Sequence, residues 1–192
     1  QIETLEQQLC ALLVRTPYLL LLSFPGINVV SASEFAGEMG PISHYANAKA
    51  ITGRCGLYPA RYQSDQVDLA NGQLVRCANR SLRAIILLIA DNLLKCNAYF
   101  RARGQIWRAQ HKDPRDVHVR VATRFCRIAF QIVAGRQVFQ HPGCRSRDYV
   151  LEKLWKFLQP SSTPLSQTMT ILQTATAQIP DREFAAEAKP LQ

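Results

Sequence analysis

The sequence predicts a mainly α fold: a compact helical domain with an N-terminal helix-hairpin-helix and a long functional loop framed by glycine and proline. Three observations predict it. Apolar residues recur at helical spacing along most of the chain. They make up 47% of the 192 residues, enough to bury a core. Turn-forming residues gather in two places, Phe24–Asn28 and Gly53–Cys77.

Each element follows from its own pattern. Ile2, Leu5, Leu9, Leu12 and Leu13 are spaced for a helix, and residues 1–16 read as the end of a linker helix or coiled coil that Pro17 breaks. The main domain is expected over residues 17–140. Leu19–Ser23 forms a short helix, Phe24–Asn28 a tight turn, and Val29–Met39 a second helix stopped by Gly40 and Pro41. A third short helix covers Ala46–Thr52. Gly53–Cys77 is a long ordered loop, with a hairpin expected around Asn71–Gly72. Asn79 caps a helix from Leu82 to about Lys95. Its run of Ile85, Ile86, Leu87, Leu88, Ile89, Leu93 and Leu94 reads as buried on nearly all sides.

Asp113 or Pro114 opens a further long helix with a core stripe of Val117, Val121, Phe125, Ile128 and Ile132. Arg120, Arg124 and Arg127 share another face of it, which is either a phosphate-contacting or a solvated face. Residues 141–159 hold an amphipathic helix, Arg147–Leu158. In residues 160–192 Ser, Thr, Gln and Ala dominate, and the tail is expected to be disordered or weakly helical.

The charge points to a polyanion. There are 23 Lys and Arg against 14 Asp and Glu, a net +9. Between Arg54 and Arg136 the balance is 15 basic to 5 acidic, and the rest of the chain is close to neutral. Arginine supplies 17 of the cations. Its guanidinium forks onto phosphate bidentately and is less strongly hydrated than an ammonium, which favours nucleic acid over mere solubility. The apolar run Tyr18–Leu22 is too short to span a bilayer, and no signal peptide is recognisable. The six cysteines form no C-x-x-C, and His44, His111, His118 and His141 complete no zinc spacing. Reduced, mostly buried thiols in a cytoplasmic, nucleoid-associated protein are expected. The chain starts on Gln1, which reads as a piece of something longer.

Two constellations carry chemistry. Ser23-Phe24-Pro25-Gly26-Ile27-Asn28 between short apolar helices has the form of a helix-hairpin-helix, or of an ordinary helix–helix turn. In the first case the turn Pro25, Gly26, Ile27 and Asn28 would bind a DNA phosphate without reading bases, through the backbone N–H groups that follow Pro25, with Gly26 permitting the close approach. The second constellation is the run Arg54-Cys55-Gly56-Leu57-Tyr58-Pro59-Ala60-Arg61-Tyr62-Gln63-Ser64-Asp65, followed by Arg76, Arg80 and Arg83. Composition alone reads Ser64 as a polar loop residue. Its setting is nonetheless what a phosphodiester-attacking hydroxyl needs, because neighbouring cations neutralise developing charge.

The order of these features resembles the C-terminal domain of insertion-sequence transposases of the family numbered 110/116/902. The matching runs are FPGIN, then EFAGEMGPISHYANAKAITGRCGLYPARYQS, then NRSLR, continuing to the Arg-rich helix that ends near Arg136. The resemblance implies a DNA recombinase guided by a bridge RNA, in which the serine forms a covalent protein–DNA intermediate. Ser64 falls at that serine. The resemblance also implies an oligomer, and Mg²⁺ held by carboxylates of an N-terminal RNase-H-like domain. Asp65, Asp68, Asp91, Asp113 and Asp116 do not substitute for those carboxylates, so this chain is expected to hold no cofactor itself. The family has glycine after the serine, where this chain has Asp65, and Gly-Asn where this chain has Ala78-Asn79. The competing expectation is a non-catalytic helical module that binds DNA or RNA.

Overall fold

The computed structural model describes residues 2–58, 62–64, 67–69, 74–139, 147–159 and 164–180. It is a mainly α protein, as expected. In chain order come α1 (Ile2–Leu13), a 3-10 helix (Pro17–Ser23), α2 (Val29–Met39), a short 3-10 turn (Ile42–His44) and α3 (Ala48–Cys55). Two short strands follow, β1 (Tyr62–Ser64) and β2 (Val67–Leu69), then α4 (Arg80–Cys96), α5 (Ala98–Ala109), α6 (Pro114–Gly135), α7 (Arg147–Leu158) and α8 (Leu165–Gln178).

The centre of the molecule is the 3-10 helix. Pro17 starts it, and every residue from Tyr18 to Ser23 is buried. Helices α1, α2, α6, α7 and α8 all pack on it. A run that is apolar on every side has to be enclosed on every side, and PYLLLLS is such a run. The aromatic part of the core continues from its end. Phe24 stacks on Phe139 at 4.2 Å between ring centres and meets Phe125 edge-on at 5.7 Å, while Phe125 meets Phe35 at 5.5 Å.

Helix α2 begins with a reciprocal cap. The Ser31 amide donates to Asn28 Oδ1 at 2.8 Å, and the Asn28 amide donates to Ser31 Oγ at 3.2 Å. Asn47, Asn79 and Asn97 cap α3, α4 and α5 in the same sense.

The structure departs from the sequence reading in four places. The hairpin is β1–β2, with Tyr62 opposite Leu69 and Ser64 opposite Val67, earlier in the chain than Asn71–Gly72. Asn71 and Gly72 lie outside the described residues. Helix α4 is amphipathic rather than buried all round. Leu82, Ile86, Ile89, Ala90 and Leu93 face the core while Leu88 is 55% exposed. Helix α5 had no sequence expectation. It carries arginines on its outer faces and buries only Phe100 and Gly104, too narrow a stripe to stand out. Finally, part of the tail expected to be disordered or weakly helical is α8, a helix of 14 residues that packs on α7 and the 3-10 helix and buries Thr168, Ile171 and Ala175. Residues 181–192 lie outside the described residues.

Candidate nucleic-acid interface

The Phe24–Asn28 turn is held from inside. Ile27 is buried, Pro25 and Gly26 are half-buried, and Asn28 is exposed as the cap of α2. Gly26 has φ +95°. A Cβ there would stand 3.0 Å from the Asn92 carbonyl oxygen and 3.2 Å from Cys96 Cβ, both on α4. The glycine is therefore needed for close packing on α4, whereas the sequence reading gave it the role of admitting a phosphate. The Pro25 carbonyl accepts from Asn97 Nδ2 at 3.4 Å. Lys153 of α7 donates to the carbonyls of Leu22, Phe24 and Ile27 at 2.8, 2.6 and 2.9 Å. The outer side of the turn is the start of α2, whose first amides have no partner within the helix.

The serine hairpin is anchored at its base. The Asn79 amide donates to the Arg54 carbonyl at 2.9 Å and the Val75 amide to the Tyr58 carbonyl at 3.2 Å, so the end of α3 and the start of α4 meet. Arg83 fastens the same junction. Its Nε donates to the Cys55 carbonyl at 2.7 Å and its Nη2 to the Val75 carbonyl. Gly56, which closes α3 at φ +63°, leaves the space the Arg83 guanidinium occupies, and a Cβ there would also come within 2.7 Å of Ala78 Cβ. Asn79 ties in α2 as well, donating from Nδ2 to Glu38 Oε2 at 2.8 Å.

Three arginines surround this base. Arg54 donates to Tyr45 Oη at 2.6 Å and lies over the Tyr45 ring. Arg76 and Arg80 are exposed, one just before α4 and one at its first residue. The backbone of Ser64 lies in β1 at the turn end of the ladder, opposite Val67. Arg61 and Asp65 lie outside the described residues.

The other arginines fall elsewhere. Arg120 pairs with Asp116 at 2.8 Å on the surface of α6. Arg124 is turned onto Tyr99 of α5, hydrogen-bonded to its hydroxyl and over its ring. Arg127 is exposed. Cys126 meets Cys55 of α3, and Arg127 follows it by about 100° around the helix. Arg120 and Arg127 thus lie about 100–120° around α6 from Cys126, and Arg124 about 160°.

Some residues of this surface escaped the sequence. Arg101 and Arg108 are exposed on α5, with Arg101 donating to the Lys95 carbonyl at 3.1 Å. Asp91 pairs with Lys95 and stands 3.5 Å from His118 Nε2. Asn97, a residue of strong capping type followed by an apolar pair, was the available signal for α5. Lys153 gave none, since a lysine on an amphipathic helix reads as solvated.

The thiols are set by burial. Cys10 is pushed up to about 12 by desolvation. The Cys126 thiol hydrogen-bonds the Cys55 sulfur, which holds Cys55 below the ordinary thiol value and Cys126 above it. Among the described residues no group of three or more His, Cys, Asp or Glu could hold a metal ion. No helix among the described residues is long and apolar enough to cross a membrane.

Residues 18–105, from the 3-10 helix into α5, match the model of the Transposase IS116/IS110/IS902 family. None of the curated proteins matches the chain.

Proposed function

We propose that residues 18–105, a domain of the IS116/IS110/IS902 transposase family, grip DNA through its phosphates and present Ser64 to the strand. The observation that carries this reading is the anchored hairpin base. Arg54, Arg76 and Arg80 stand around the junction from which the Ser64 strand projects, while Arg83 ties both of its ends. Arginines at such a junction can neutralise phosphate oxygens on either side of a scissile bond. The Ser64 hydroxyl oxygen attacks the phosphorus, forms a serine–phosphate ester and breaks the bond to one sugar oxygen. That oxygen leaves with a proton, and the hydroxyl proton of Ser64 passes to a base or to water. The resemblance to the transposase family implies that the reaction belongs to a recombinase that also carries a metal-binding half.

The start of α2, beside the Phe24–Asn28 turn, is the second phosphate contact. Helix α1 supports the oligomer. Ile2, Leu5, Leu9 and Leu12 form a three-four-three seam, 74, 59, 36 and 59% exposed, on a face adjoining that of buried Cys10 and Leu13. A guide RNA would meet the same arginines by the same phosphate chemistry.

Binding of duplex DNA and of structured RNA by this chain, measured against salt, tests the grip. The expected log–log slope is about −0.9 per phosphate contacted on duplex. Affinity that stays flat with salt would overturn it, and preference for structured RNA favours the non-catalytic module. In a recombinase with its metal-binding half, Ser64→Ala is expected to abolish the covalent protein–DNA adduct while duplex binding persists. An adduct that survives the substitution removes Ser64 from the chemistry.

A further inference from the structure

The Phe24–Asn28 turn is built around a cation that the chain itself supplies. Three backbone carbonyls, those of Leu22, Phe24 and Ile27, converge on one atom, Lys153 Nζ, at 2.8, 2.6 and 2.9 Å. An ammonium has three hydrogens, enough to donate to each of these carbonyls. Leu22, Phe24 and Ile27 are themselves buried, so water reaches these oxygens poorly. Three carbonyl dipoles aimed at one point repel one another unless a positive charge sits there. The same grouping of backbone oxygens is what replaces the hydration shell of a monovalent metal ion. The Tyr149 ring, 4.6 Å from Nζ, adds a further face that favours a cation.

We infer that Lys153 is the built-in cation of this turn, a positioning residue that sets the turn's shape, and that its removal leaves a site for ammonium or potassium. The consequence for DNA rests on the phosphate-gripping reading above. In a trans peptide the carbonyl and the following N–H point opposite ways. Drawing the Ile27 carbonyl inward aims the Asn28 N–H outward, where it enters the cap with Ser31 at the start of α2. Lys153 thus orients the amide end that the phosphate would meet. It does so from α7, beyond the residues that match the family model.

The test compares the full chain with Lys153→Ala and Lys153→Met. Melting is followed in ammonium chloride, potassium chloride and tetramethylammonium chloride at matched ionic strength. The wild type is expected to melt alike in all three. Lys153→Ala is expected to melt about 5–10 °C lower in tetramethylammonium, and to regain at least half of that loss in ammonium or potassium. Lys153→Met fills the stem with an apolar chain and is expected to lose as much and regain nothing. A Lys153→Ala loss that is equal in all three salts, or no loss, overturns the inference.

Duplex affinity of Lys153→Ala should fall about tenfold and recover with the same cations. A wild type that binds no duplex counts against the proposed function, and the melting comparison still decides Lys153. If neither variant folds, reductive methylation of the wild type decides. Lys153 should stay unmodified while exposed Lys95, Lys112 and Lys156 react. Lys153 methylated as fast as these overturns the inference.

Discussion

Gly26 shows how one atom can decide a turn. Its φ of +95° is open to glycine, and the space where a Cβ would go is already occupied by the α4 backbone at Asn92. Gly26→Ala is expected to cost about 2–3 kcal/mol, from the strained backbone and the forced shift of α4 together. Chemical denaturation measures it, and a variant as stable as the wild type would show that α4 yields easily. Arg83 is the other single residue on which much rests, because two carbonyls at the two ends of the hairpin segment share it. Arg83→Ala should lose about 2–4 kcal/mol, and Arg83→Lys should recover less than half, since a point charge cannot fork to both. Cys10 and Tyr18 set the alkaline limit. Burial raises the Cys10 thiol to about 12 against 9.0 for the ordinary thiol, and burial also raises Tyr18. The unfolded chain therefore loses these protons first. This contribution to stability is complete below about pH 9 and is lost as pH rises through the folded values. The denaturation midpoint should fall steadily from about pH 9 to 12, with Cys10→Ala shallower.

Helices in this protein are started by asparagine more than by any other residue. Asn28, Asn47, Asn79 and Asn97 each accept from the first turn of the helix that follows. Asn79 does two further things: its amide donates to the Arg54 carbonyl and its side chain to Glu38. Asn79→Asp keeps the cap but sets a carboxylate against the Glu38 carboxylate. It should be destabilised by about 1 kcal/mol, a loss that the added Glu38→Gln substitution relieves. A double variant no more stable than Asn79→Asp would show that Glu38 is not the cause. Helix α6 shows the same economy in its cations. Arg120 is spent on Asp116 and Arg124 on Tyr99, so a stripe that looks uniform in sequence is three different environments.

Exposed arginines stand at the base of the serine hairpin, on α5 and on α6. If phosphates run over the hairpin base, Arg76→Ala with Arg80→Ala should weaken duplex binding and reduce the salt slope by about 2. Arg120→Ala with Arg127→Ala should change it less, because Arg120 already has a carboxylate partner. Equal effects would mean that DNA contacts both sets of arginines. The core is shared: the buried 3-10 helix is enclosed by helices from both ends of the chain, so α7 and α8 belong to the same folding unit as the segment that matches the family.

The sequence by itself determined the mainly α class, the positions of α1, α2, α6 and α7, and the short helix in PYLLLLS. These follow from apolar periodicity and from Pro, Gly and Asn at the ends of runs, which are local properties of the chain. It also marked the basic stretch and the FPGIN and GLYPARYQS runs. Tertiary structure alone decided what each marked residue touches. Gly26 faces α4, Arg83 bridges the hairpin ends, Arg124 turns to Tyr99, and Lys153 crosses from α7 into the turn. Each of these joins segments far apart in the chain. A side chain's charge is written in the sequence, whereas whether that charge meets solvent, a carboxylate or three carbonyls is fixed only when distant segments pack. That is why the cations were countable from the sequence, and why the division of labour among them was not.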